Sequence, residues 1–211
     1  MREELISAIA DLKEDEALTL VKQKLEMGET PLEIVEQCRL GVEIVGKRYR
    51  EEKYFLSDLI MSEEILRGVM EIITPYFTQK YGDQEEINII MGTIEGDIHD
   101  LGKNIIIYLL KSVGINVYDL GVDVKPEEFV AALKETNASL LGISVVLTFC
   151  INGVKKVVDL LDKSGLRDDV KIIIGGYPVN QKVKEYTGVD YFENDPNKAV
   201  DLIKDIVANE E

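Results

Sequence analysis

The sequence predicts a small bundle of four α-helices followed by an α/β domain built on a five-stranded parallel sheet. Three observations predict it. Over the first eighty residues apolar side chains recur at spacings of three and four, and no strand pattern is visible. After Gly82-Asp83-Gln84 the pattern changes, and short β-rich runs alternate with helical stretches. The chain has 211 residues, 45% of them hydrophobic, which suits two compact domains with real cores. The expected boundaries are a helical domain over 1–82, a linker over 83–86 and the α/β domain over 87–211.

In the helical part, Leu32, Val35, Leu40, Ile44 and Val45 mark one apolar face. Leu59, Ile60, Ile65, Leu66, Val69, Ile72 and Ile73 mark another. Thr30-Pro31 reads as an N-cap followed by proline at the first helical position, and Ser57-Asp58 as the opening of the next helix. Pro75 signals a kink or an approaching end.

The strands are read as Ile87 to Gly92, Ile115 to Gly121, Leu140 to Val146, Val170 to Gly176 and the short Val189 to Phe192. Helices are expected at Gly102 to Val113, Pro126 to Thr136, Ile151 to Lys163, Val179 to Tyr186 and Asn197 to Ala208. Five such strands suit the flavodoxin-like (Rossmann-like) order 2-1-3-4-5. Its switch point lies between the first and third strands, and ligands bind there, at the carboxyl ends. The loops after the first, third and fourth strands are therefore where chemistry should be sought.

Composition narrows the function. Forty acidic against 24 basic side chains give a net charge of -16, which disfavours nucleic acid and anionic membranes as partners. The longest apolar stretch, Leu140 to Cys150, is shorter than the roughly 18 residues of a membrane span. The acidic, amphipathic N-terminus is unlike a signal peptide, so a cytoplasmic location is expected. Cys38 and Cys150 share no metal-ligand spacing and read as two buried thiols.

The loop after the first strand, Gly92 to Asn104, holds the chain's one histidine, His99, at the expected crevice. Taken alone, it is compatible with a solvated loop. A phosphate-binding P-loop is disfavoured, because Asp97 stands where that pattern needs glycine and Asn104 where it needs Ser or Thr. The third reading is metal ligation, with Asp97 reaching back to His99 to fix its tautomer and raise its basicity. Glycines at 92, 96 and 102 would let the backbone turn tightly and approach something bulky. One histidine without a partner cannot build a zinc site, so the metal would arrive already chelated, with one axial position free.

Asp97-x-His99-x-x-Gly102, with Ser144-x-Val146 and Gly175-Gly176, resembles the cobalamin-binding signature of the corrinoid proteins of three-component methyltransferase systems and of the cobalamin module of methionine synthase. The segments GDIHDLGKNI, NVYDLGVDV, LLGISVVLT and IGGYPVNQ, and the helical stretch from Val45 to Tyr76, are similar to that family in the same order. The resemblance implies a cobalamin or related corrinoid bound base-off/His-on and cycling between Co(I) and methyl-Co(III). His99 would be the axial ligand to cobalt, supported by Asp97 and flanked by Gly96, Ile98, Asp100 and Gly102. Ser144 and Thr148 would line the channel for the cofactor's nucleotide tail, Val146 would be a further cofactor-binding position, and Gly175 and Gly176 would leave the tail room. Tyr49 and Leu56 would shield the methyl group from the helical cap, and Glu36 matches a cap position more loosely. Read without the resemblance, Tyr49 and Leu56 are plain helix packing. The implied function is a methyl carrier between a substrate-specific methyltransferase and an acceptor methyltransferase acting on a folate or a thiol. A reductive activase is a further implied partner, and the chain alone is not a complete enzyme. The cap would swing about a hinge near Tyr81 to Glu86.

Several positions depart from the family pattern. Val146 replaces leucine, Ser57 replaces a common proline, and Tyr177 stands where a small residue is usual, with bulk that would reshape the tail pocket. Cys150 occupies the place of a hydroxyl that continues the His–Asp relay, and a thiol is a weak donor and acceptor. Rival readings are a cobalamin-based sensor, the small subunit of an adenosylcobalamin mutase, and a cofactor-free response-regulator-like domain. Against them stand, in turn, the acidic charge with no tryptophan for an aromatic lid, the presence of the cap, and Ser144 where a phosphorylatable aspartate is needed.

Overall fold

A computed structural model of the chain describes residues 2–77 and 89–208. The chain divides into two compact units, Met1–Gln79 and Lys80–Glu211. The expected linker 83–86, the hinge region and the first two residues of the first expected strand lie outside the described residues.

The first unit consists of α1 (Arg2–Ala10), α2 (Glu14–Glu26), α3 (Pro31–Arg50) and α4 (Leu56–Phe77). Thr30 caps α3 as its sequence indicates: its hydroxyl accepts from the Glu33 amide (3.3 Å), and the Glu33 carboxylate accepts from the Thr30 amide (2.9 Å). The opening of α4 differs from expectation. The helix starts at Leu56, ahead of Ser57, because the Asp58 carboxylate reaches back to accept from the Phe55 amide at 2.7 Å. It then continues through Pro75 to Phe77.

Leu5, Ile9, Ile34, Val45, Ile65, Val69 and Ile73 fill the core between these helices. A charged side chain is buried beside them: Lys24 donates to Glu29 at 2.9 Å, and Gln37 bonds the same carboxylate. Cys38 is a buried free thiol whose pKa burial pushes up to about 12, against the opposing pull of Lys24.

The second unit runs β1 (Ile89–Thr93), α5 (Leu101–Ser112), β2 (Val117–Asp119), α6 (Pro126–Thr136), β3 (Leu140–Ser144), a 3-10 turn (Thr148–Cys150), α7 (Ile151–Ser164), β4 (Lys171–Gly175), α8 (Gln181–Thr187), β5 (Tyr191–Phe192) and α9 (Pro196–Ala208). All strand pairs are parallel and the order is β2-β1-β3-β4-β5, as expected. β1 is buried at every residue, as a central strand covered on both faces must be. One side of the core joins Ile90, Ile143, Val145 and Ile174 to Phe129 of α6 and Val154, Val157 and Leu161 of α7. Gly92 belongs to this packing and not to the loop: it lies in β1, where an added Cβ would meet the Phe129 ring at 2.8 Å.

Register aligns the functional ends. Thr93 pairs with Ser144, and Ser144 pairs with Gly175. The three loops leaving β1, β3 and β4 therefore start from one rung at the carboxyl edge.

Candidate corrinoid site

The chain turns directly after β1. The Asp97 amide donates to the Ile94 carbonyl (3.0 Å), closing a turn with Gly96 at its third position and φ +83. A left-handed residue there makes the turn type II and explains the glycine. Asp97 is fully buried. Its Oδ1 accepts from the His99 amide at 3.1 Å and lies 2.7 Å from His99 Nδ1. Its Oδ2 accepts from the amides of Val146 (2.6 Å) and Leu147 (2.9 Å), just past β3.

Burial alone would raise the Asp97 carboxyl, but the Val146 amide, the His99 ring and the amides of Leu147 and His99 hold it below the ordinary carboxylate range. An ionised carboxylate only accepts, so Nδ1 must donate, and in the neutral ring that leaves the lone pair on Nε2. The His99 side chain is 48% exposed while its partner is at 0%. The loop thus holds a fixed imidazole on a buried anion and presents the other nitrogen outward.

A carboxyl depressed by folding stabilises the fold fully above its unfolded value of about 3.9. That contribution disappears as pH falls through the lower folded value. Asp97→Asn is expected to lose about 1–3 kcal/mol at neutral pH and to show a shallower fall of stability below about pH 4. Urea midpoints across pH check this, and parallel acid limbs for variant and wild type would show that the carboxylate is not so held.

Other site residues fall into three groups. Ile98 and Asp100 are exposed on the His99 loop, and Asp100 accepts from the Asn104 side chain at 3.0 Å. Gly102 lies in the first turn of α5, where an added Cβ would meet nothing within 4 Å; its smallness answers to no need of the fold. Ser144 ends β3, half-buried, and Thr148 is exposed at the start of the 3-10 turn. In the helical unit, Tyr49 (41%) and Leu56 (63%) are exposed and so are not core; Glu36 is paired with Arg39 on the surface of α3.

Gly176 is small for a reason the sequence does not reveal. With φ +132, its added Cβ would lie 1.9 Å from the Val145 carbonyl oxygen, and that of Gly175 2.7 Å from the Glu193 oxygen. The chain's own backbone requires both glycines. Tyr177, just past the glycine pair, is 91% exposed. Val146 contributes through its amide, so its lost methylene relative to leucine does not touch Asp97. Asp97 Oδ2 is occupied by two backbone amides, and among the described residues no hydrogen bond runs to it from Cys150. Cys150 is buried, its thiol pushed up by burial and by the charges of Asp97 and Asp123.

Three residues around the site escaped the sequence reading. Lys103 is buried in the first turn of α5 and donates to Asp119 at the end of β2 (2.6 Å) and to the Asn104 side chain. Asp119 also accepts from the Gly121 amide, while Asp123 accepts from the Gly96 amide. Each looks like a surface charge when read along the chain.

Among the described residues, no group of three or more His, Cys, Asp or Glu side chains could hold a metal ion. A lone presented imidazole fits a metal that brings its own equatorial chelate. Exposed apolar side chains on the three converging loops, Ile98, Phe149 and Tyr177, fit the bulk of such a chelate.

The comparisons decide the family. The B12 binding domain matches residues 87–200, and a second B12 binding domain matches residues 1–74. The chain is 35% identical to the dimethylamine corrinoid protein of Methanosarcina barkeri, over 98% of this chain and 97% of that one. It belongs to the corrinoid proteins. This corrinoid protein superposes on the monomethylamine corrinoid protein of Methanosarcina barkeri with a TM-score of 0.87, at 30% identity and 96% coverage of both chains. It also matches a cobalamin-binding protein from Desulfitobacterium hafniense at 32% identity, TM-score 0.55 and 97% of each chain. The methanol:cobalamin methyltransferase complex MtaBC of Methanosarcina barkeri matches at 26% identity and TM-score 0.54, with 97% of this chain and 78% of that one covered. No helix among the described residues is long and apolar enough to cross a membrane.

Proposed function

We propose that the protein is a methyl carrier that ligates a corrinoid through His99. The observation that supports it is the Asp97–His99 pair: a buried carboxylate 2.7 Å from Nδ1, directing Nε2 outward from the carboxyl edge of the sheet. A bound corrinoid would supply a cobalt centre able to take up a methyl group and pass it on. The chain's own residues do the rest. Asp97 holds the ligand's tautomer and basicity, and the Val146 and Leu147 amides hold Asp97. His99 would hold the cobalt in place of the cofactor's own base, which is the base-off/His-on mode. Ser144, Thr148 and the Gly175–Gly176 bend border the edge toward which a displaced nucleotide tail would run. Tyr49 and Leu56 are exposed apolar surface, as a methyl-shielding role requires.

Relatives named for dimethylamine, monomethylamine and methanol support a small methylated compound as the original donor. MtaBC is a complex with a methyltransferase, which supports a substrate methyltransferase as one partner. An acceptor methyltransferase and a reductive activase complete the cycle in this reading. His99 is the chain's one histidine, so labelling with 15N-histidine marks a single imidazole. Protein reconstituted with cobalamin and reduced to cobalt(II) is expected to show nitrogen superhyperfine coupling that changes with the label. Coupling indifferent to the label would overturn the axial assignment.

A further inference from the structure

We propose that Asp123 is a positioning residue for His99, acting through the Gly96–Asp97 peptide segment. The observation is a two-way clamp. Asp123 Oδ1 accepts from the Gly96 amide at 2.7 Å, and the Asp123 amide donates to the Asp97 carbonyl at 3.0 Å. The next residue extends the grip: the Val124 amide donates to the Thr93 carbonyl at 3.0 Å, and Ile94 bridges Val124. The loop between β2 and α6 therefore holds both flanks of the turn that carries Asp97.

Asp123 itself sits at φ +55, in the left-handed region. Aspartate and asparagine tolerate that conformation better than other side-chain-bearing residues. It is the conformation in which the same residue's amide and carboxylate both engage the Gly96–Asp97 segment.

The consequence follows from glycine. Gly96 at φ +83 is the least restricted residue of the turn. Without a partner for its amide, the Glu95–Gly96 peptide loses one of its restraints, and the turn that carries Asp97 is left to the Asp97–Ile94 and Asp123–Asp97 backbone bonds and to the amides on the Asp97 carboxylate. Asp97 Oδ1 must stay within hydrogen-bond reach of Nδ1 to keep the proton there. Asp123 thus shares with the Val146 and Leu147 amides in setting the tautomer of a ring it does not touch. The inference rests on the proposed role of His99, but its test needs no cobalt.

The experiment uses the full chain without corrinoid, labelled with 15N-histidine, in mildly alkaline buffer. With one histidine, the nitrogen spectrum reads the Nδ1–H to Nε2–H ratio of His99 directly. Asp123→Asn keeps the acceptor oxygen and tolerates the left-handed backbone, so its ratio is expected to equal the wild type. Asp123→Gly keeps the backbone conformation and deletes the acceptor, and its ratio is expected to fall about fivefold. Should Asp123→Gly not fold, Asp123→Ala, which also lacks a side-chain acceptor, serves the same comparison. A folded Gly or Ala variant with the wild-type ratio overturns the proposal, and so does an Asn variant that loses it. The labelled cobalt(II) spectrum tests the ligand role separately, so failure of one is told apart from failure of the other.

Discussion

His99→Ala is expected to abolish nitrogen coupling in the cobalt(II) spectrum and to weaken corrinoid binding by more than the roughly 10–100-fold that loss of a metal ligand's supporting partner costs. The substitution should leave the fold in place. The backbone amide that donates to Asp97 Oδ1 remains in the variant, and Oδ2 keeps both of its amides. The ring is half exposed, so little packing is lost. Binding and stability therefore separate: denaturation midpoints should hardly move while the spectrum changes. Unchanged nitrogen coupling in the variant would mean that cobalt takes its lower ligand from elsewhere, most simply from the cofactor's own base.

Gly176→Ala should be the most damaging single-methyl substitution in the α/β unit. Its added carbon would fall 1.9 Å from the Val145 carbonyl oxygen, so the backbone of β3 or β4 must move. The φ of +132 adds strain that an L side chain does not relieve. Together these should cost about 3 kcal/mol or more. The damage reaches the site, because Val145 precedes the amide that holds Asp97 and is itself bonded to the Gly175 carbonyl at 2.9 Å. Urea denaturation measures the loss, and an unshifted midpoint would show that the close approach is relaxed at no cost. Gly102→Ala is the control: it meets nothing in the protein, so stability should hold or rise by about 0.5–1 kcal/mol. Reduced corrinoid binding in that variant would show that the ligand lies against α5.

Much of this was legible along the chain. The apolar spacing of three and four in α3 and α4, and the short β-branched runs from Ile89 onward, are local signals that survive in any context. The Thr30 cap is equally local, since both of its bonds close within three residues. Where local signals compete, reading fails by a residue or two, as at Ser57, where the Asp58 carboxylate captured an earlier amide. His99 stood out because it is the one imidazole and follows a strand, and Asp97 is near enough in sequence to reach it.

The sequence by itself determined the two-unit plan, the parallel sheet and its order, and the candidacy of His99 with Asp97. Each depends on periodicity or on residues a few positions apart. Only the tertiary structure decided what holds Asp97, because the amides of Val146 and Leu147 lie about fifty residues further on, and backbone donors carry no residue-type signature. It also decided that Lys103 is buried on Asp119, that Asp123 clamps Gly96, and that Gly176 answers to the Val145 carbonyl. Burial and close approach arise where strands β1, β3 and β4 come into register, and residue type reveals that a group is charged or small without revealing what will stand beside it.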